Sequence, residues 1–367
     1  VVNALIVVLM ETGVGCGVWG MGNRLKQPSH DSKGERTMSS GWSQVESPFH
    51  AGELAIQARL GVLDRIDRQG RQMIRPYLTQ QHRQFFAQLS YVLVGTVDAD
   101  GNPWASILVG NPGFLSTPDD RTLRVTASPL LGDPLIHTIS EGTQIGLLGI
   151  ELHTRRRNRL NGIVTTIHSE GFEIQVGQSF GNCPQYIQAR QFELEGHLVT
   201  TPQPIHSVET IGEPERGMIT ISDTFFIATA YQAAEAGAAS GVDVSHRGGK
   251  PGFVRLDDNQ TFTVPDFSGN HCFNTFGNLE LNPRAGLLFL AFEQGDLLYL
   301  TGTAEVIWDG DEINAYEGAE RLLRFHLTHG YRVEGSLPLR WSEPEFSPFL
   351  DRTGAWCSNF QSSEIQS

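Results

Sequence analysis

The densest run of chemically capable residues is Asp243-Val-Ser245-His246-Arg247-Gly-Gly-Lys250-Pro-Gly-Phe253. It combines two cations, an imidazole, a hydroxyl and glycines that let backbone N–H groups approach a ligand. Such a set suits a phosphate or another anionic group. Downstream lie Pro265-Asp-Phe-Ser268-Gly269-Asn270 and Phe273-Asn274-Thr275-Phe-Gly277-Asn278. The amides of Asn270, Asn274 and Asn278 and the hydroxyl of Thr275 can bond heterocycle edges and ribityl or sugar hydroxyls. The same residue types also suit turns that bond only their own backbone. Their company with His246 and Arg247 favours a binding site.

A second cluster is Thr154-Arg155-Arg156-Arg157-Asn158-Arg159-Leu-Asn161-Gly162, with four arginines in five residues of an acidic chain. It can capture an anion, bridge a domain interface, or be a solvated hairpin turn. Strand alternation would put Arg155, Arg157 and Arg159 on one side and Arg156 on the other. Gly181-Asn182-Cys183-Pro184-Gln185-Tyr186 reads as a helix start, either aimed at a ligand or simply capped. Cys183 has no evident paired base. The chain has no GxSxG, HExxH or GxxxxGK[ST] motif, and no histidine pair spaced for a metal. Ligand-binding groups without announced proton-transfer machinery point to a bound cofactor that carries the reactivity.

These clusters sit inside a repeat. One copy runs from Ser90 to about Ile163 and the other from Asp223 to about Trp308. Each has an apolar strand, a polar turn, a Pro-Gly-Phe segment (Pro112-Gly113-Phe114, Pro251-Gly252-Phe253) and a Gly/Leu-rich strand. A unit this long is too large for a solenoid repeat and fits two related small domains facing one another. Short strands with frequent turns predict two small barrels rather than a parallel sheet.

Helices are predicted over 51–69, 79–89, 133–140 and 311–326, with another starting at Asn182. The boundaries read as a disordered leader (1–47), a first barrel with N-terminal helices (48–195), a linker (196–219), a second barrel (220–335) and an irregular tail (336–367). Gly15, Gly17 and Gly20 form a GxGxxG, but a loop-like segment follows it where a dinucleotide fold needs a helix.

The 367 residues carry a formal net charge of −14, which disfavours nucleic acid as a general partner. No apolar run is long enough for a membrane helix. Four scattered cysteines argue against a disulfide framework or zinc site and suit the cytoplasm.

Longer strings resemble a known family. They are Ser47-Pro-Phe-His-Ala-Gly-Glu-Leu, Pro103-Trp-Ala-Ser, the arginine cluster through Gly162, and Gln178-Ser-Phe-Gly-Asn-Cys-Pro-Gln-Tyr-Ile. Val244-Ser-His-Arg-Gly-Gly-Lys-Pro-Gly-Phe-Val and Gly277-Asn-Leu-Glu-Leu-Asn-Pro-Arg-Ala-Gly complete them. Together they resemble the pyridoxamine 5′-phosphate oxidase-related, FMN-binding split-barrel family, in its two-copy branch, over about residues 47–325. The resemblance implies a mainly β fold: two tandem Greek-key split β-barrels packed as a pseudo-dimer, with FMN held where they meet.

The family's basic pair for the phosphate is absent from 265–278. Arg247, Lys250, Arg155, Arg157 or Arg159 would have to replace it, beside His246, Asn270, Asn274, Thr275 and Asn278. The family's substrate signature is not recognisable either. The expected activity is therefore an FMN-dependent oxidoreductase acting on an unidentified small-molecule redox substrate, with homodimerisation of whole chains open. The alternative is a non-catalytic flavin- or haem-binding split barrel.

Overall fold

The computed structural model describes residues 41–195 and 204–357. Most of the predicted leader, its GxGxxG motif and part of the predicted linker lie outside them. The chain begins with α1 (Ala51–Arg59), α2 (Leu63–Met73) and α3 (Gln80–Gln88). The single helix expected over 51–69 is two, because Gly61 takes φ +67° and turns the chain. The helix expected over 79–89 is α3, with Thr79 as its side-chain cap just outside it.

Seven strands follow: β1 (Tyr91–Val97), β2 (Pro103–Val109), β3 (Leu115–Ser116), β4 (Thr122–Val125), β5 (Gln144–Glu151), β6 (Arg156–His168) and β7 (Gly171–Gly181). They form an antiparallel sheet in the order β2-β1-β5-β6-β7-β4-β3. After β8 (Phe192–Leu194), β9 (Ile205–Val208) and α4 (Glu213–Ile221), the pattern is repeated. The second set is β10 (Thr224–Tyr231), β11 (Gly241–Gly248), β12 (Arg255–Leu256), β13 (Thr261–Asp266), α5 (Asn274–Leu281), β14 (Arg284–Leu290), β15 (Leu297–Ile307) and β16 (Arg321–Val333). Its order is β11-β10-β14-β15-β16-β13-β12, the same topology strand for strand.

The repeat is thus longer than the sequence pattern reveals, because the helix expected over 311–326 is absent. Ile313–Ala315 is a 3₁₀ turn, and Arg321 onward is β16. From Leu323 the buried residues alternate (Leu323, Phe325, Leu327), which is the period of a strand. The helix expected from Asn182 is also absent: Tyr186 takes φ +59°, outside helical geometry. The helix expected over 133–140 is only a 3₁₀ turn, Pro134–His137, capped by Asp133. The tail is less irregular than its composition suggests. It holds β17 (Leu339–Trp341), which pairs with β8.

Each barrel has its own core. Val92, Val94, Leu147, Leu160 and Ile174 fill the first. Phe225, Ile227, Leu287, Leu300 and Phe325 fill the second. A third apolar cluster joins the barrels through Leu93, Trp104, Ile107, Phe226, Val244, Leu288 and Tyr299. Trp104 is buried in this joining cluster. Alternate residues of β1 and β10 point to opposite cores, which is why both strands are apolar on both faces.

Two glycines set how closely the barrels meet. A β-carbon on Gly146 of β5 would collide with the Val242 carbonyl of β11. One on Gly286 of β14 would collide with the Pro103 carbonyl of β2. The two sites are equivalent in the repeat. Gly146→Ala or Gly286→Ala should each destabilise the protein by about 1–3 kcal/mol through overpacking. A urea midpoint that does not fall would show that the backbones do not touch there.

Candidate functional site

Beside that contact, a pocket opens between β6 of the first barrel and the β11, β13 and α5 region of the second. β6 delivers Arg157 and Arg159 two residues apart, hence from one face. β11 delivers Asp243, Ser245 and Arg247 by the same rule, with His246 between them. The chain leaves β13 at Asp266 and turns through His271 and Phe273, both with φ near +60°. α5 then begins at Asn274, and no side chain caps it.

Arg159 is the hub. Its guanidinium lies 3.1 Å from Asp243 and 3.2 Å from the Asn274 Oδ1, and it donates to Ser245 Oγ. Ser245 is 3.0 Å from the Thr275 hydroxyl, and Asn161 donates to Asp243 at 2.9 Å. Arg247 pairs with Asp266, which Arg321 also approaches at 3.3 Å. The Arg247 guanidinium rests 4.7 Å from the Phe276 ring and that of Arg321 5.1 Å from Phe273. Arg157 donates to the Cys183 carbonyl at 2.7 Å. Among the described residues it has no carboxylate within ion-pair distance.

Burial here costs the charged groups. Burial, then the neighbouring cations Arg159 and Arg247, lowers the Arg157 pKa to about 10. His246 is only 6% exposed, and burial, then Arg157 and Arg247, hold its imidazole well below the ordinary value. His246 is thus neutral at pH 7. Behind Asn274 sits Glu53, pushed up to about 8 by burial and by Asp243, against the donors His50 N–H and Asn274.

Four buried polar atoms lining this pocket have no hydrogen-bond partner: Arg159 Nε, His246 Nε2, Arg247 Nε and Gln185 Oε1. Each such atom costs about 1–3 kcal/mol if left unmet. Four of the eleven such side-chain atoms found among the described residues thus line one pocket, and they carry both donor and acceptor character.

Of the sequence candidates, the pocket brings together Arg157, Arg159, His246, Arg247, Asn270, Asn274 and Thr275. Three lie outside its lining. Lys250 Nζ donates to the Thr353 carbonyl at 2.6 Å. Asn278 is a buried residue of α5 itself, bridging His50 at 2.9 Å and Thr229 at 3.0 Å. Arg155 takes φ +57° before β6 begins, so strand alternation does not apply to it. It binds the Ile187 carbonyl and Glu345 instead. Sequence reasoning missed Arg321 and Glu320, because that stretch reads as helix. It also missed Phe273 and Phe276 as ring surfaces. Asp266 and Gln185 stood in polar strings that carried the signal.

Residues 78–194 match the family model described as pyridoxamine 5′-phosphate oxidase. Among solved structures, the chain is similar to HupZ of Group A Streptococcus. Identity there is 18%, coverage 30% of this chain and 87% of that one, and TM-score 0.24. A putative pyridoxamine 5′-phosphate oxidase of Lactobacillus delbrueckii gives 12% identity, 38% and 98% coverage, and TM-score 0.26. An FAD-binding protein of Mesorhizobium loti gives 11%, 35% and 97%, and 0.24. No curated protein matches the chain. No helix among the described residues is long and apolar enough to cross a membrane.

A lowered histidine pKa means the fold favours the neutral ring. The stability this contributes is present above about pH 6.5 and is lost as pH falls below it. His246→Gln should therefore lose less stability than the wild type between pH 7 and pH 5 in parallel denaturant titrations. Equal losses would show that His246 is not held neutral by its surroundings.

Proposed function

We propose that this chain binds one flavin nucleotide, FMN in the first instance, in the pocket between β6 and α5. We further propose that it serves as an oxidoreductase on a small-molecule redox substrate. Supporting this are the four unmet buried polar atoms that share the pocket lining with Arg157, a cation with no carboxylate partner among the described residues. A ligand that is anionic at one end and carries a polar aromatic edge would satisfy both features at once.

Arg157 and Arg247 would hold the phosphate, helped by the uncapped N-terminus of α5. Gln185 Oε1 offers an acceptor and neutral His246 offers Nε2, together suiting the edge of a heterocycle. Tyr186, Phe267, Phe273 and Phe276 supply the apolar walls that keep water from it. Asn274, clamped between Arg159 and Glu53, keeps its orientation without the ligand. A bound flavin supplies two-electron transfer; the chain binds, orients and shields it.

The test is titration of the purified protein with FMN, followed by flavin absorbance and fluorescence. Saturable quenching is expected, and its absence with both FMN and FAD would reject the flavin reading. A Soret band would point instead to haem. Reduction of the bound flavin by NAD(P)H would separate an oxidoreductase from a flavin store. Arg157→Ala should weaken FMN binding by about 1.5–3 kcal/mol, roughly 10- to 150-fold in Kd. An unchanged Kd would take Arg157 away from the phosphate.

A further inference from the structure

Two matching barrels should create two equivalent pockets at their interface, one on each side of the pseudo-twofold axis. Strand register locates the counterpart of every site residue. The Pro-Gly-Phe segments align Ser106, Ile107 and Leu108 with Ser245, His246 and Arg247. Gly146 faces Asn161 across β5 and β6, and Gly286 faces Thr301 across β14 and β15. Both long strands shift register immediately after that residue, at Asn161/Gly162 and at Thr301/Gly302. Leu297 and Tyr299 therefore stand where Arg157 and Arg159 stand. The Thr96–Thr138 bond (2.7 Å) likewise mirrors Thr229–Asn278 (3.0 Å), so the 3₁₀ turn at Pro134 is the counterpart of α5.

The second location is closed. Ile107, Leu297 and Tyr299 are fully buried there, within an apolar cluster that includes Val333, Leu337 and Leu339. At its centre sits the carboxylate of Asp133, 1% exposed. One oxygen accepts from Ser106 Oγ at 2.6 Å and from the Leu135 N–H at 2.8 Å; the other accepts from the Tyr299 hydroxyl at 3.2 Å. The counterparts of these donors are Ser245, the first turn of α5 and Arg159. All three face the open pocket, where the residue matching Asp133 is Phe273, turned aside with φ +61°.

We propose that the two pockets have diverged. The Asp133 carboxylate acts as a built-in anion that permanently seals one, and the chain takes a single anionic nucleotide in the other. This rests on the flavin reading only for the identity of the nucleotide. A carboxylate at the start of a helical turn satisfies the donors that a bound phosphate would otherwise meet.

Two measurements decide it. FMN titration of the intact chain should saturate at one equivalent, and two equivalents would overturn the proposal. Without ligand, Asp133→Ala should lower Tm by at least about 4 °C, because three donors lose their shared acceptor. Failure to fold is the extreme of the same result. Where the variant folds, its count of FMN equivalents should not change. An unchanged or raised Tm would show that Asp133 is not a seal. No FMN binding at all would reject the flavin reading; the seal would then stand or fall on the Tm of Asp133→Ala.

Discussion

The structure depends on two backbones meeting without side chains between them. At Gly146 and Gly286 a strand of one barrel lies against the carbonyls of the other. Hydrogen at those positions is a geometric requirement, since even a methyl group would force the barrels apart. That approach brings β6 of the first barrel within reach of β11 and α5 of the second. The Arg159–Asp243, Arg159–Asn274 and Arg159–Ser245 contacts all cross between barrels, and none could form if the interface opened by a methyl diameter.

Charge is arranged in the pocket to be incomplete. Asp243, Asp266 and Glu320 answer Arg159, Arg247 and Arg321, and buried pairs of this kind barely repay their desolvation. Arg157 then adds a cation whose protein partner is a carbonyl. Such an excess, beside unmet polar atoms, weakens a fold unless a ligand supplies the missing charge. Elsewhere a buried cation has a carboxylate partner, as Arg190 has Asp223 through two hydrogen bonds, although its Nε, like that of Arg159, is unmet. The contrast between these regions is the physical basis for reading one as a binding site and the other as structure.

Duplication explains how one side could be given up. Once both barrels are on one chain, the two interface pockets no longer have to be identical, and each position can change alone. One side carries arginines and asparagines. On the other, Leu297, Tyr299 and Ile107 bury apolar surface worth about 1.5–3 kcal/mol per large side chain. In the proposed reading, the two pockets divide binding and stability between them.

The sequence by itself determined the doubled barrel and most of its strands, because strand alternation, turn glycines and Pro-Gly-Phe segments are local signals. It also singled out His246, Arg247, Asn270, Asn274, Thr275, Arg157 and Arg159, since polar strings of that composition stand out in an acidic, apolar-stranded chain. It misread β16 as a helix because the cluster Leu322-Leu323-Arg324-Phe325 fits either period over so short a span. That error hid Arg321 and Glu320 from the pocket. Only the tertiary structure decided that Lys250, Asn278 and Arg155 turn away from it, and that the second pocket is filled. Those outcomes depend on which residues from distant segments meet across the barrel interface. Register and backbone approach set such meetings over separations of 100 residues or more, as between Arg159 and Asn274, and no local pattern encodes them.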